Sequence, residues 1–265
     1  MLALVFSQQT DYPIHLNVSL IKVAHTIGGY HQLIDGTTLM QKKLIWDIPT
    51  RLFHWLLVAS ILAQYATAEW MDNAVQWHFY IGYFTLGLLA FRLMWGVVGP
   101  TYARFSQFVK GPKAVIRYIS TLFDKNSEPV AGHNPLGGWF VVVMLCLLIV
   151  QGVSGLFMTD DVFLDGPYRS AVDDSTLALM NTLHHLAFDI LLWVIGLHIA
   201  AIGFYAVYKK QKLVPPMLHG KKATQNAPIP SSRLWLALVI VLITAATLYY
   251  VIEVAAPAPS VDDYF

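Results

Sequence analysis

Residues 181–202 read NTLHHLAFDILLWVIGLHIAAI, a stretch almost wholly apolar that still holds three histidines. An ionisable side chain inside such a segment is costly in lipid, and a functional role is its default explanation. His184 and His198 are 14 residues apart. At about 100° and 1.5 Å per residue, their rings fall within about 40° of one another and about 21 Å apart along a helix axis. His185 lies about 140° off that face. Two imidazoles on one helix face, at opposite depths of a bilayer, imply two stacked metal centres, one near each surface.

The composition agrees with a membrane setting. The chain is 56% hydrophobic and 12% charged, with a mean hydropathy of +0.54, whereas soluble domains carry roughly 25% charged residues. The expected class is an all-α integral membrane protein embedded in lipid, with no nucleic-acid partner. The single cysteine, Cys146, sits in an apolar run, which excludes a disulfide framework and a cysteine-based zinc or iron–sulfur site. No C-x-x-C-H is present, so any haem is held without thioether bonds.

Five apolar spans, at about 52–68, 77–98, 139–158, 179–208 and 234–254, each approach the ~20 residues that cross a bilayer. Residues 1–41 differ from them. MLALVF is too short and lacks the basic region of a secretory signal, and the expected form is a poorly structured extension, with a start at Met40 as the alternative. His15, His25 and His31 are read as solvated. The remainder divides into a four-helix domain over 42–222 and a linker, fifth helix and outer tail over 223–265.

Charges sort by loop. Lys42, Lys43 and Arg51 precede span one. Arg104, Lys110, Lys113, Arg117 and Lys125 lie between spans two and three, and Lys209, Lys210, Lys212, Lys221, Lys222 and Arg233 between four and five. The alternate loops carry Glu69 and Asp72, then Asp160, Asp161, Asp165, Asp173 and Asp174 against Arg169 alone, and the tail carries Asp262 and Asp263. The positive-inside rule places the N-terminus in the cytoplasm and the C-terminus in the periplasm of a bacterial inner membrane. FSQFVKGPKAVIRYISTLF, 105–123, reads as an amphipathic helix on the cytoplasmic surface. The proline-bearing stretch between spans four and five reads as a flexible linker.

Orientation supplies partners for the two histidines. His54 begins span one on the inner side, and His78 begins span two on the outer side. Depth therefore pairs His54 with His198 and His78 with His184. Neutral imidazole binds several transition metals, but a structural zinc site needs four protein ligands. Two histidines per depth fit haem iron, whose porphyrin brings four nitrogens of its own. Gly82 and Gly196 leave room for a flat ring, and Gly152 and Gly155 are candidates to face it. Arg92, 14 residues after His78, shares its face about 21 Å deeper and suits a haem propionate. Trp55, Trp70, Trp77, Trp139 and Tyr249 read as an interfacial aromatic belt, and Gly87 and Gly203 as helix-packing residues. His133 is expected to cap span three or meet a headgroup, and His219 to lie in the linker. His185 has two readings, a hydrogen bond to a neighbour or a place near a quinone.

WDIPTRLFHW, RFSQFVKGP, GHNPLGGW and HHLAFDILLWVIGLH resemble the bacterial cytochrome b561 family, within it the b-type cytochrome subunits of nickel–iron hydrogenases. The resemblance covers about residues 44–219. It implies a four-helix core holding two b haems, with axial ligands falling on His54, His78, His184 and His198. It further implies electron transfer between a membrane quinone pool and a partner redox protein, either a periplasmic c-type cytochrome or a membrane-associated, hydrogenase-like oxidoreductase. Whether the chain is an enzyme in its own right is open at this stage. Some relatives oxidise superoxide and reduce ubiquinone, which would want a cationic outer funnel; here the outer loops are acidic. A metal transporter or structural anchor is disfavoured by the lack of carboxylates inside the spans.

Overall fold

The structure, a computed structural model, describes residues 42–125, 130–160 and 164–257. The expected N-terminal extension, Asp161 and the tail aspartates lie outside them. Five long helices dominate: α1 (Ile48–Glu69), α2 (Val75–Val98), α5 (Pro135–Gly155), α6 (Asp174–Val207) and α8 (Leu234–Tyr249), the last continued by a π-helical turn, Tyr250–Val254. Shorter elements are β1 (Lys42–Leu44), α3 (Phe105–Phe108), α4 (Pro112–Ser120), α7 (Val214–His219) and β2 (Lys221–Ala223). The protein is an all-α, multi-pass membrane protein: α2, α5, α6 and the run 234–254 are long and apolar enough to cross a bilayer. α1 matches them in length, 22 residues, but is more polar. Its polar side chains Thr50, Ser60 and Thr67 are buried, together with Phe53 and Leu57, in the near-heptad spacing of a helix seam.

Each long helix starts where its sequence says it can. Asp47 caps α1, its Oδ1 accepting from Thr50 N at 2.8 Å and from Trp95 Nε1 of α2 at 3.0 Å. Its Oδ2 accepts from Thr50 Oγ1 at 2.8 Å. Asn134 caps α5 through Gly137 N at 2.7 Å, and Asp173 caps α6 through Thr176 N at 2.9 Å. All three satisfy amides that an N-terminal turn leaves unpaired, and hydrogen bonds from Thr176 hold the Asp173 carboxyl below its ordinary range.

α1 packs on α2, α5 on α6, α2 also on α5, and α8 on α2 and α1. Buried Phe53, Leu57, Leu89, Trp95, Leu148 and Leu191 belong to one core. α1 and α6 share little direct contact, and Tyr65 and Phe188 stack across them at 6.0 Å. Gly87 backs onto Leu248 of α8, where a Cβ would sit 3.3 Å from Cδ2, the packing role expected of it; Gly203 has no such neighbour.

Three loop expectations need correction. Residues 105–123 do not form one amphipathic helix. Gly111 and Pro112 divide them into α3 and α4, because proline biases the residue before it away from helical geometry. The segment between α6 and α8 is not a plain linker. β2 pairs antiparallel with β1, Lys42 opposite Ala223. Gly220, at φ +81°, closes α7 and presents its carbonyl to Ile45 N and Trp46 N at 2.9 and 3.1 Å. His133 does not cap α5, since Asn134 does. It lies against Trp46 and Phe108, with ring centroids at 4.8 and 4.5 Å.

Candidate functional site

In the first turn of α2, His78 is half-buried and its Nδ1 lies 3.2 Å from Thr67 Oγ1 of α1. That hydroxyl has one hydrogen, and the Ala63 and Gln64 carbonyls, 2.9 and 3.0 Å away, take it. Thr67 therefore accepts from His78, so Nδ1 carries the proton and Nε2 keeps its lone pair. His184 repeats the arrangement on α6. Its Nδ1 is 3.0 Å from the Gln151 carbonyl and 3.2 Å from Ser154 Oγ. A carbonyl only accepts, and Ser154 donates back to Val150 O at 2.7 Å, so here too Nδ1 is protonated. His184 Nε2 accepts from the Gln151 side-chain amide at 3.1 Å. The other atom of that amide, Oε1, is buried without a partner among the described residues.

Gly155, the last residue of α5, allows His184 its position, because a Cβ there would stand 3.2 Å from His184 Cε1. Gly152 instead fits against Leu86 of α2. Gly82 abuts the Gln64 amide, 3.1 Å from where its Cβ would be, while Gly196 opens onto free space. His78 and His184 are near enough for their charges to interact. So are His54 and His198 toward the opposite end of the bundle, where His198 stacks on Phe140 of α5 at 5.8 Å. The buried Nδ1 of His54 has no partner among the described residues. The two α6 histidines thus sit near the histidines of α1 and α2 that matched them in depth.

This donor set favours a group that brings its own nitrogens. Among the described residues, no three His, Cys, Asp or Glu side chains gather as a metal site would require. Each depth offers two imidazoles, and on His78 and His184 the atom that would meet iron is the one without a proton. A hydrogen bond from the other ring nitrogen is how proteins orient metal-binding histidine.

Arg92 is buried, 3% exposed. It donates to Ala103 O at 3.1 Å, and its guanidinium lies over Phe105 at 4.8 Å, with Phe108 and Phe53 at 5.8 and 6.0 Å. Trp55, Trp70, Trp77, Trp139 and Tyr249 are all exposed, as a belt requires. The partners Thr67, Gln151 and Ser154 escaped the sequence reading, since small hydroxyls and an amide in apolar helices carry no motif. Asp189 escaped it too: this carboxylate lies within α6 and corrects the expectation that the spans lack carboxylates.

The family model described as prokaryotic cytochrome b561 matches residues 45–220. The chain belongs to the prokaryotic cytochrome b561 family. This cytochrome is also similar to a probable Ni/Fe-hydrogenase B-type cytochrome subunit of Rhizobium leguminosarum bv. viciae. The two are 21% identical over 217 residues, 69% of this chain and 89% of the relative. No solved structure matches it. Family membership makes the protein a haem b electron-transfer cytochrome of the membrane, and the matched region runs from before α1 through α6 and α7.

Proposed function

We propose that the cytochrome holds two b haems, His78 and His184 being the axial ligands near the outer surface and His54 and His198 those near the inner. The observation that carries this is the meeting of four histidines in two couples, at two depths, across the lightly packed seam between α6 and the α1–α2 pair. Haem iron supplies one-electron oxidation and reduction, and two histidines per iron leave no open position for oxygen. The chain's part is to hold each imidazole in the required tautomer, to exclude water from the seam and to set the two centres about 21 Å apart along α6. Gln151 gives up the His184 Nε2 position, its amide turning away. Arg92, next to His54 through Phe53, is offered as the partner of an inner propionate.

The function that follows is electron transfer between the quinone pool and a partner redox protein, by one-electron steps across the membrane. The Rhizobium relative's name supports a hydrogenase-like partner on this side of the family, and the acidic outer loops suit a basic c-type cytochrome. The loop charges support a location in the inner membrane with the N-terminus cytoplasmic and the C-terminus periplasmic.

Haem counting tests the proposal. The purified chain should hold two haems, and H54L or H198L should remove one while H78L or H184L removes the other, with distinguishable redox midpoints. A wild-type content of one haem, or a single substitution that leaves both midpoints in place, overturns the dihaem assignment. An inner midpoint unmoved in Arg92→Leu removes Arg92 from the propionate role.

A further inference from the structure

α6 has a second charged feature on the side away from its haem ligands. Asp189 is exposed, as is His185 one turn before it. Neither side chain has a hydrogen bond or an ion pair among the described residues; His185 has only an edge contact to the His184 ring, at 6.0 Å. The buried residues of α6, Ala187 and Leu191, lie about 160° to 200° round the helix from Asp189. Asp189 therefore points away from the bundle. It is not at the membrane surface either. His184, five residues earlier, is level with the end of α5 through Gly155, which puts Asp189 about 7.5 Å further in. A side chain as short as aspartate does not span that distance to water. A carboxyl facing lipid at this depth needs a partner, and none of the described residues hydrogen-bonds or ion-pairs with this one.

Below Asp189 the same face carries Gly196, Ala200 and Gly203, all exposed, at about 120°, 160° and 100° on a wheel that places Asp189 at about 140°. A Cβ added at Gly196 or Gly203 would meet nothing within 4 Å, so packing among the described residues explains neither glycine. Small residues at this spacing let a second helix approach closely.

We propose that this face is a homodimer interface, in which α6 of a second copy lies parallel and each His185 donates to the Asp189 carboxylate of the other copy. The choice of occupant follows from the face itself. It holds one N–H donor and one acceptor, a turn apart. A two-fold axis along the membrane normal brings donor to acceptor twice and leaves neither polar group in lipid, as an isologous interface requires. The proposal does not depend on the number of haems or on the electron partner.

Cross-linking in native membranes tests it. The exposed Cys146 is removed, and C146A/A200C is oxidised with copper phenanthroline. A disulfide-linked species of twice the chain mass is expected, and none from C146A/L242C on the lipid face of α8. In the A200C background, Asp189→Leu should lower the dimer yield at least tenfold, while Asp189→Asn, which keeps an acceptor, should retain it. Gly203→Ile is the second disrupting variant, since the monomer has room for the added side chain and the pair does not. An unchanged b-type absorption spectrum in each variant establishes that the bundle is intact. Absence of dimer from A200C, a yield indifferent to Asp189→Leu and Gly203→Ile, or a cross-link at Ala200 to a protein of different mass would each overturn the proposal, the last by placing a partner subunit on the face.

Discussion

Thr67 and Ser154 both direct their hydroxyl hydrogen to a carbonyl of their own helix and present a lone pair to a histidine on the next. The two are not equivalent. His78 depends on Thr67, while His184 has the Gln151 carbonyl at 3.0 Å in addition to Ser154. Thr67→Val should therefore weaken retention of the haem proposed between His78 and His184 roughly 10-fold or more, the range for losing a partner behind a metal ligand. Ser154→Ala should have a smaller effect. Haem per chain after detergent exchange, read by pyridine haemochromogen, separates the two. A different residue-scale effect resides in His133, half-buried between Trp46 and Phe108 outside the spans. Burial first, then the positive charges of Arg92 and Lys222, push its imidazole down to about 3. In the unfolded chain it titrates near its ordinary value of about 6.5. Between those values the unfolded state holds the extra proton, so the stability is fully present above about pH 6.5 and is lost as pH falls toward 3. From pH 7 to 4.5 the loss is about 3 kcal/mol, at about 1.4 kcal/mol per unit. His133→Leu should flatten this acid limb in thermal melts of detergent-solubilised protein at the two pH values.

Among the elements, the start of α1 carries the most interlocking contacts. Asp47 is fully buried, caps its own helix and ties α2 to it through Trp95. Asp47→Ala removes the cap, for about 0.5–2 kcal/mol, and strands a buried indole N–H, for about 1–3 kcal/mol more. Asp47→Asn keeps the oxygen that serves both Thr50 N and Trp95 Nε1, and should lose well under half as much. The melting temperature of the two variants checks the difference. Gly220→Ala tests the other side of this junction: its φ of +81° is strained for any side chain, and a Cβ would meet the Trp46 carbonyl at 2.7 Å. WDIPTR thus makes sense as a helix start seated on a Gly220 turn 170 residues later. The first half of that statement was legible in sequence and the second was not. Long apolar runs announce helices because a bilayer demands an unbroken hydrogen-bonded span, so the five helices were readable. The four histidines stand out in the sequence as ionisable side chains within apolar runs. A three-residue strand pair, a histidine walled in by Trp46 and Phe108, or a threonine behind His78 depends on which distant segments meet. Local spacing carries no record of that. Asp189 is legible in the sequence as a carboxylate within an apolar run, on the face of α6 opposite the histidine pair.

At the scale of the whole molecule, the sorting of charge and the contacts of the basic loops point the same way. Lys209 reaches Asp124 O at 3.1 Å, and Lys222 donates to Val130 O. Arg51 donates to Leu218 O. The basic segments on either side of α1, α5 and α6 thus close over one end of the bundle. Burial draws the Lys222 ammonium below its ordinary range, and Glu69, Asp72, Asp160, Asp165, Asp173 and Asp174 lie toward the other end. Lysine and arginine near helix ends set orientation during insertion, whereas acidic residues contribute little. The basic end should therefore face the cytoplasm, and five crossings should bring the residues after α8 to the periplasm. Alkaline phosphatase fused after Pro257 should be active and green fluorescent protein fused there dark. The same reporters placed after Lys212, one crossing earlier, should give the reverse. Replacing Lys209, Lys210 and Lys212 together with glutamine should weaken the preference, since these three lie directly at the end of α6. If the fusion after Pro257 fluoresces while the fusion after Lys212 secretes active phosphatase, the bundle is inverted, and the couple of His78 and His184 becomes the cytoplasmic one.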